Sequence, residues 1–156
     1  MKLLRILSLV FISAVLLTYA GCKGKGSDPE PVADVQFAKL KKTWNIKTVT
    51  FDNTDRTTDY PVFQLTFSGT KGTYPFDYAT SNRPFPSPWK ALGKIDFGAS
   101  PETQLIRDKG VVADELAMTY VVTETTLKIE FTFNRDGYTS RTKEVKGPWI
   151  FEFTTL

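Results

Sequence analysis

Histidine is absent from the 156 residues of this chain, and cysteine occurs only once. Histidine is the commonest metal ligand and the commonest general base near neutral pH, so its absence excludes Ser-His-Asp catalysis and histidine-ligated zinc. A single cysteine also excludes an internal disulfide. Carboxylate, lysine or tyrosine chemistry and oxygen-ligated cations remain, and the sequence implies no cofactor.

A hydrophobic segment long enough to span a bilayer is also absent. The sustained apolar stretch Ile6–Leu17 has 12 residues, whereas a membrane-spanning helix needs about 20. Two basic residues precede this stretch, and two small residues follow it, which is typical of a cleavable secretory signal. We therefore predict a signal peptide at residues 1–21 and a mature chain that begins at Cys22.

The residues Leu17-Thr18-Tyr19-Ala20-Gly21-Cys22 resemble the lipobox of bacterial lipoproteins. This resemblance implies that the Cys22 thiol carries lipid and anchors the protein to a membrane, with acyl chains contributing about 0.8 kcal/mol per buried CH₂. The expected location is the outer membrane, at its periplasmic face or at the cell surface. The alternative is a secreted protein with an unpaired thiol.

Neither sign of charge dominates the mature chain. Loss of Lys2 and Arg5 with the signal peptide leaves 18 basic and 17 acidic side chains. Because no strong positive field remains, we do not expect a nucleic-acid partner.

The segment after Cys22 is small, charged and proline-containing, and has too little apolar surface to fold. We assign residues 22–34 to a flexible tether and residues 35–156 to one domain, which is long enough to bury a core without disulfides.

The hydrophobic pattern predicts one short helix followed by strands. Phe37 and Leu40 lie three apart, which favours a helix over 35–42 with Asp34 as its N-cap. Beyond Thr43 the pattern alternates with a period of two, which predicts an all-β domain. The eight predicted strands are Trp44–Asp52, Val62–Ser68, Thr73–Tyr78, Ala91–Phe97, Thr103–Asp108, Leu116–Glu124, Thr126–Asn134 and Trp149–Thr155.

The connections between these strands predict an antiparallel meander. Turn sequences stand at 69–72, 108–110 and 136–137, and no stretch longer than about ten residues has the pattern of a crossover helix. In the first strand the apolar set changes parity between Ile46 and Val49, which indicates a bulge. Eight such strands form a closed barrel or a strongly curved open sheet.

Several segments, in this order, resemble the small lipocalin-like lipoprotein domains of Bacteroidetes, many of which have no known function. The segments are Leu40-Lys41-Lys42-Thr43-Trp44, Phe63-Gln64-Leu65-Thr66-Phe67, Pro84-Phe85-Pro86-Ser87-Pro88-Trp89, Asp96-Phe97-Gly98, Arg107-Asp108-Lys109-Gly110, Leu127-Lys128-Ile129-Glu130-Phe131 and Gly147-Pro148-Trp149-Ile150-Phe151. The resemblance implies a barrel or curved sheet, with ligand binding as an open question, because a fold alone does not establish a ligand.

A stiff aromatic segment provides the first candidate site. Prolines 84, 86 and 88 separate Arg83, Phe85 and Trp89, so these side chains are presented with little conformational entropy left to lose. This segment is either a binding loop or a rigid cover whose Phe85 and Trp89 fill one end of the barrel.

Further candidates lie on the predicted strands. Tyr74 and Tyr78 alternate with Phe76, and Tyr120 lies on a neighbouring apolar face; these rings line a ligand site or belong to the core. Arg107 is in phase with Leu105, so it holds a ligand anion, pairs with an internal carboxylate or reaches solvent from an edge.

Catalysis by a pair of carboxylates is the weakest hypothesis. The acidic candidates are Asp77, Asp96, Asp114, Glu115 and Glu124, and their spacing in the sequence does not show whether any two lie at the separation that this chemistry requires. The acidic stretch from Asp52 to Asp59 lacks the spacing of a calcium loop. We therefore expect a non-enzymatic binding protein for a small hydrophobic or glycan ligand, or an accessory subunit with an outer-membrane protein partner.

Overall fold

The computed structural model describes residues 28–136 and 145–155, so the predicted signal peptide and Cys22 lie outside the described residues. Residues 31–156 form one compact unit. Within the described ranges, the single α-helix is too short and too polar to cross a membrane.

The elements are α1 (Val32–Leu40), β1 (Thr43–Phe51), β2 (Thr54–Asp55), a 3₁₀ helix (Thr57–Asp59), β3 (Gln64–Ser68), β4 (Phe76–Ser81), β5 (Leu92–Phe97), β6 (Gln104–Arg107), β7 (Leu116–Val122), β8 (Thr126–Phe133) and β9 (Gly147–Thr154). From β3 to β9 each strand pairs antiparallel with the next, and β9 returns to pair with β1, which also pairs with β3. Eight strands therefore close into a barrel, and the predicted lipocalin-like all-β meander is confirmed in its closed form.

Alternating side chains create the barrel interior. In β8, Leu127, Ile129, Phe131 and Phe133 are buried, while Lys128 and the other side chains between them face outward. The same alternation holds in β7 and β9. Successive side chains of a strand point to opposite faces, so burial of one face forces the polar set into solvent.

The first strand contains the predicted bulge. The register between β1 and β9 shifts between Ile46 and Thr48. Trp44 and Val49 are five residues apart, an odd spacing, yet both are fully buried. The extra residue of a bulge reconciles the two positions and increases the local twist.

The N-terminal helix differs from the prediction at both ends. It begins at Val32 after Pro31 and ends at Leu40, so Asp34 is not the N-cap. Proline fits this start because its missing N–H is one that the first helical turn leaves without an intrahelical partner. The Asp34 carboxylate instead accepts a hydrogen bond from the Tyr74 hydroxyl at 2.5 Å.

Two strand predictions also need correction. The strand predicted at 73–78 begins only at Phe76, because Pro75 has no N–H to donate to a ladder. The short β2 was missed: Asp52 and Asn53 both have positive φ, 46° and 61°, which forms a tight hairpin with β1.

The barrel has two distinct ends. At the helix end, Phe37 and Leu40 of α1 are buried and close the interior, and Phe37 contacts Tyr74 and Phe76. At the loop end lie the connections 52–63, 82–91 and 108–115, with residues 134–136 and 145–146 between β8 and β9. The turn predicted at Asp108–Gly110 is confirmed there, with positive φ at both residues, whereas the turn predicted at 136–137 extends beyond the described residues.

Candidate functional site

The 82–91 connection is held in place by side chains of its own and of neighbouring segments. Asn82, with φ of 53°, donates its amide to the Val62 carbonyl at 3.0 Å. Arg83 Nη1 donates to the Trp89 carbonyl at 2.6 Å, and the Trp89 N–H donates to Ser87 Oγ at 3.2 Å. The stiffness predicted from the prolines is therefore reinforced by hydrogen bonds.

Trp89 belongs to the core. Its side chain is fully buried and its ring lies edge-on to Tyr78, Phe131 and Phe151, with centroids 5.6–5.8 Å apart. The part of this connection that reaches the barrel thus acts as a cover, as one of the two alternatives predicted. Trp89 has no surface on which a ligand can stack.

Arg107 lies inside the barrel, on the same face as the buried Leu105. It is fully buried, its guanidinium lies 5.5 Å from the Trp89 ring centroid and 5.9 Å from that of Phe133, and Nη1 donates to the Pro88 carbonyl at 2.9 Å. A charge-assisted hydrogen bond to Pro88 and a cation–π contact with Trp89 thus hold the 82–91 connection against the interior, and the contact with Phe133 joins Arg107 to β8.

Phe85 behaves in the opposite way to Trp89. Its side chain is 69% exposed, although it lies only four residues from a fully buried ring. It borders a cleft of about 360 Å³ at the loop end, which is lined by Arg56, Asp59, Tyr60, Pro84, Phe85, Pro86, Val145 and Trp149. This volume is in the range of small-molecule sites, about 300–1,000 Å³.

Two rings form the inner wall of the loop-end cleft. Tyr60 and Trp149 are almost fully buried, their centroids are 6.1 Å apart, and Tyr60 also contacts Phe63 and Phe151. Burial raises the pKa of the Tyr60 phenol well above its usual range, against the effect of a hydrogen bond with Ser87. The Tyr60 hydroxyl is therefore neutral at physiological pH.

Charged groups form the opposite wall. Arg56 Nε lies 2.5 Å from Asp59 Oδ2, and the two side chains are 46% and 43% exposed. Sequence reasoning did not assign either residue to a site. The available signal was a pair of opposite charges three residues apart within a connection, which is too common to identify a binding surface.

The remaining predicted site residues do not reach this cleft. Tyr74 lies at the helix end against Phe37, and the Tyr120 hydroxyl donates to the Pro101 carbonyl in the connection between β5 and β6. Tyr78 is buried in β4 beside Trp89. The structure thus brings together Tyr78, Trp89 and Arg107 inside the barrel, with Arg83 and Phe85 above them, and separates Tyr74 and Tyr120 from this group.

A partly buried cluster of ion pairs stabilises the same end of the barrel. Lys90 Nζ lies 3.0 Å from Asp114 and 3.3 Å from Asp108, and Asp108 also accepts the Lys94 N–H at 3.0 Å. Gly93 packs against this cluster, since a Cβ there would lie 2.6 Å from the Asp108 carboxylate. Two connections, 82–91 and 108–115, are thereby joined.

The other acidic candidates are dispersed around the surface. Asp77 pairs with Lys94 at 2.6 Å, Asp96 with Lys109 at 2.9 Å, Glu124 with Lys42 at 4.0 Å, and Glu115 accepts the Gly110 N–H at 2.6 Å. Among the residues with assigned positions, groups of three or more Cys, Asp or Glu that could hold a metal do not occur.

A second cleft, of about 470 Å³, lies on the outer wall of the barrel across β6, β7, β8 and β9. It runs over outward-facing side chains such as Ala117, Thr119 and Thr132, and includes none of the side chains predicted to bind ligand. Its floor lacks aromatic rings that face outward, so it offers less for specific recognition than the loop-end cleft.

Comparison of the chain with protein-family models, curated proteins and solved structures finds no match in any of the three.

The ion pairs of Lys90 should make the free energy of unfolding depend on pH in the alkaline range. Desolvation by burial lowers the pKa of Lys90, but hydrogen bonds with Asp114 and Asp108 raise it on balance above its ordinary value of 10.5. Because the pKa in the folded state is the higher one, the contribution is complete below pH 10.5 and is lost as pH rises through the folded-state pKa.

We expect Lys90→Met to lower the free energy of unfolding by about 2 kcal/mol at pH 8, measured by urea denaturation. The difference from the wild type should shrink above pH 10.5. Lys94→Met is the control, because its ion pair with Asp77 is 56% exposed on both sides and contributes little. A difference for Lys90→Met that stayed constant to pH 12 would contradict this assignment.

Proposed function

We propose that this chain is a lipid-anchored protein of the bacterial cell envelope whose barrel binds a small glycan in the loop-end cleft. One observation carries the ligand proposal: the exposed Phe85 ring shares a cleft of about 360 Å³ with the Arg56–Asp59 ion pair. An aromatic face beside paired donors and acceptors suits a sugar, which has apolar C–H faces and a rim of hydroxyl groups.

The filled interior supports the cleft over the barrel cavity as the binding site. Trp44, Trp89 and Arg107, together with many phenylalanines, are buried inside the barrel. A ligand in that position would have to displace packed rings, each of which contributes about 1.5–3 kcal/mol through burial. The cleft requires no such displacement.

The cleft also favours a glycan over a small hydrophobic ligand. An apolar molecule would strip water from Arg56 and Asp59 without replacing the lost hydrogen bonds, and this desolvation opposes binding. Sugar hydroxyls would replace those hydrogen bonds. The proposed role is binding without catalysis, since the carboxylate that lines this cleft, Asp59, is paired with an arginine.

The first test is ligand binding to the full chain in detergent, screened by thermal shift against small neutral sugars. A true ligand should raise the melting temperature with concentration. Phe85→Ala should weaken binding about two- to tenfold, because stacking on one aromatic ring contributes about 0.5–1.5 kcal/mol.

Leu92→Ala is the matched control for Phe85→Ala. The two side chains are equally exposed, 69% and 70%, but Leu92 does not line the cleft. Equal affinity of both variants and the wild type for a ligand would contradict Phe85 as a contact. Absence of any shift across the sugars would count against glycan binding itself.

The anchoring proposal depends on Cys22, which follows the predicted signal. We expect wild-type protein in the membrane fraction, with the mass of acyl groups on its N-terminal peptide. The Cys22→Ser variant should either be cleaved and soluble, or stay at the membrane with its apolar signal retained. Recovery of the Cys22→Ser variant from the membrane fraction with its signal removed would exclude this anchor.

A second candidate function is that of an accessory subunit in an outer-membrane protein complex. Large apolar side chains are exposed at or beside three loop-end connections: Val62 (62%), Leu92 (70%), Val111 (50%) and Val112 (94%). Groups of exposed apolar side chains mark protein interaction sites when they are contiguous.

Crosslinking in native membranes tests this second candidate. Leu92→Asp should reduce the yield of a stoichiometric crosslinked partner at least severalfold, whereas Val121→Asp, on the side wall with 62% exposure, should not. Failure to recover any stoichiometric partner of the wild type would argue against the subunit role.

A further inference from the structure

The backbone that carries the Arg56–Asp59 pair is fixed before any ligand arrives. The Arg56 N–H donates to the Val49 carbonyl of β1 at 2.8 Å, and the Asp59 N–H donates to the Arg56 carbonyl at 3.0 Å. Thr57 adds two further contacts, with the Val49 N–H at 3.0 Å and with Asp55 at 2.8 Å. The backbone that carries both charges is therefore fixed to the barrel wall.

The pair leaves hydrogen-bonding capacity on both partners. Its bond joins Arg56 Nε to Asp59 Oδ2, and among the described residues it is the only hydrogen bond of either side chain. Arginine has five N–H donors, and a carboxylate has two acceptor oxygens. The Nη groups of Arg56 and Oδ1 of Asp59 thus remain for a ligand, side by side, as donors and an acceptor.

The charges of this wall cancel. A ligand carboxylate near the Arg56 Nη groups would also lie near the Asp59 carboxylate, so the repulsion would offset the attraction and the cost of removing water from the ligand carboxylate would not be recovered. Two adjacent hydroxyl groups meet no such conflict, because one donates to Asp59 Oδ1 while the other accepts from Arg56.

Phe85 complements this wall from the proline-rich connection. Its exposed ring belongs to the lining of the same cleft, so a sugar ring can contact the aromatic face while its hydroxyl edge meets the ion pair. Binding would then need both a flat apolar face and adjacent hydroxyl groups on one ligand.

Resting on the proposed glycan-binding function, we infer that the Arg56–Asp59 pair determines specificity by selecting neutral sugars with two adjacent hydroxyl groups and rejecting acidic sugars. The selection follows from a hydrogen-bonding site that carries no net charge. Arg56 and Asp59, in the connection between β1 and β3, would recognise the hydroxyl groups. Phe85 would contact only the apolar face of the sugar ring.

The experiment uses the full chain in detergent and titration calorimetry. The probes are the methyl glycosides of glucose, galactose and mannose, and the methyl glycosides of glucuronic and galacturonic acid. The wild type should bind at least one neutral glycoside, and should bind the uronic acid of the same configuration at least tenfold more weakly.

Asp59→Asn keeps the size of the side chain and leaves the Arg56 charge uncompensated. The variant should lose affinity for the neutral glycoside about tenfold and should bind the uronic acid more tightly than the neutral glycoside. Asp77→Asn is the control, since it removes the same charge from an exposed ion pair outside the cleft and should leave both affinities unchanged.

The outcomes separate this inference from the proposed function. Binding of neutral and acidic glycosides with equal affinity by the wild type, or an unchanged preference in Asp59→Asn, would overturn the role of the pair while glycan binding stands. Absence of binding by every glycoside would overturn both. The comparison of neutral and acidic probes needs only the wild type, so it holds even where a variant fails to fold.

Discussion

The packing of aromatic rings around Phe151 is the constraint on which the rest of the structure depends. Six aromatic rings have centroids 5.4–6.2 Å from that of Phe151, and they belong to Tyr60, Phe63, Trp89, Phe131, Trp149 and Phe153. Phe151 lies on β9, the strand that closes the barrel against β1. Closure of the sheet and packing of its interior thus depend on each other, because the closing strand β9 carries Phe151, the ring around which the other aromatic rings pack.

This packing includes two segments that are not strands. Tyr60 and Phe63 come from the connection between β1 and β3, and Trp89 comes from the proline-rich connection between β4 and β5. Both connections therefore share the stability of the core instead of moving as free loops. Arg107 also fixes the proline-rich connection to the core, because it contacts Trp89 and donates to the Pro88 carbonyl. The backbone around the loop-end cleft is consequently held in place, which lowers the entropic cost of the binding that we propose.

The sequence predicts the strands well because alternation is a local property. The buried faces of β7, β8 and β9 and the bulge in β1 follow from the parity of apolar residues. Parity gives no information in the 82–91 connection, which has no regular period. Phe85 and Trp89 look alike in the sequence, and only the packing of Trp89 against distant strands separates the exposed ring from the buried one. The cleft is harder still to predict, since its lining comes from three connections that are far apart in the chain.

The filled interior and the lipid anchor that we propose are consistent with one mode of action. A shallow cleft gains less binding energy than an enclosed cavity, because part of the ligand stays in water. We therefore expect the proposed affinity for a single sugar unit to be weak. Attachment to a membrane holds many copies of the barrel beside any glycan presented at the same surface, so a second contact forms at high effective concentration. In this proposal a cleft of low affinity and no net charge suffices for binding, because simultaneous contacts by several copies supply the affinity. The barrel interior is filled with aromatic side chains and leaves no space for a ligand.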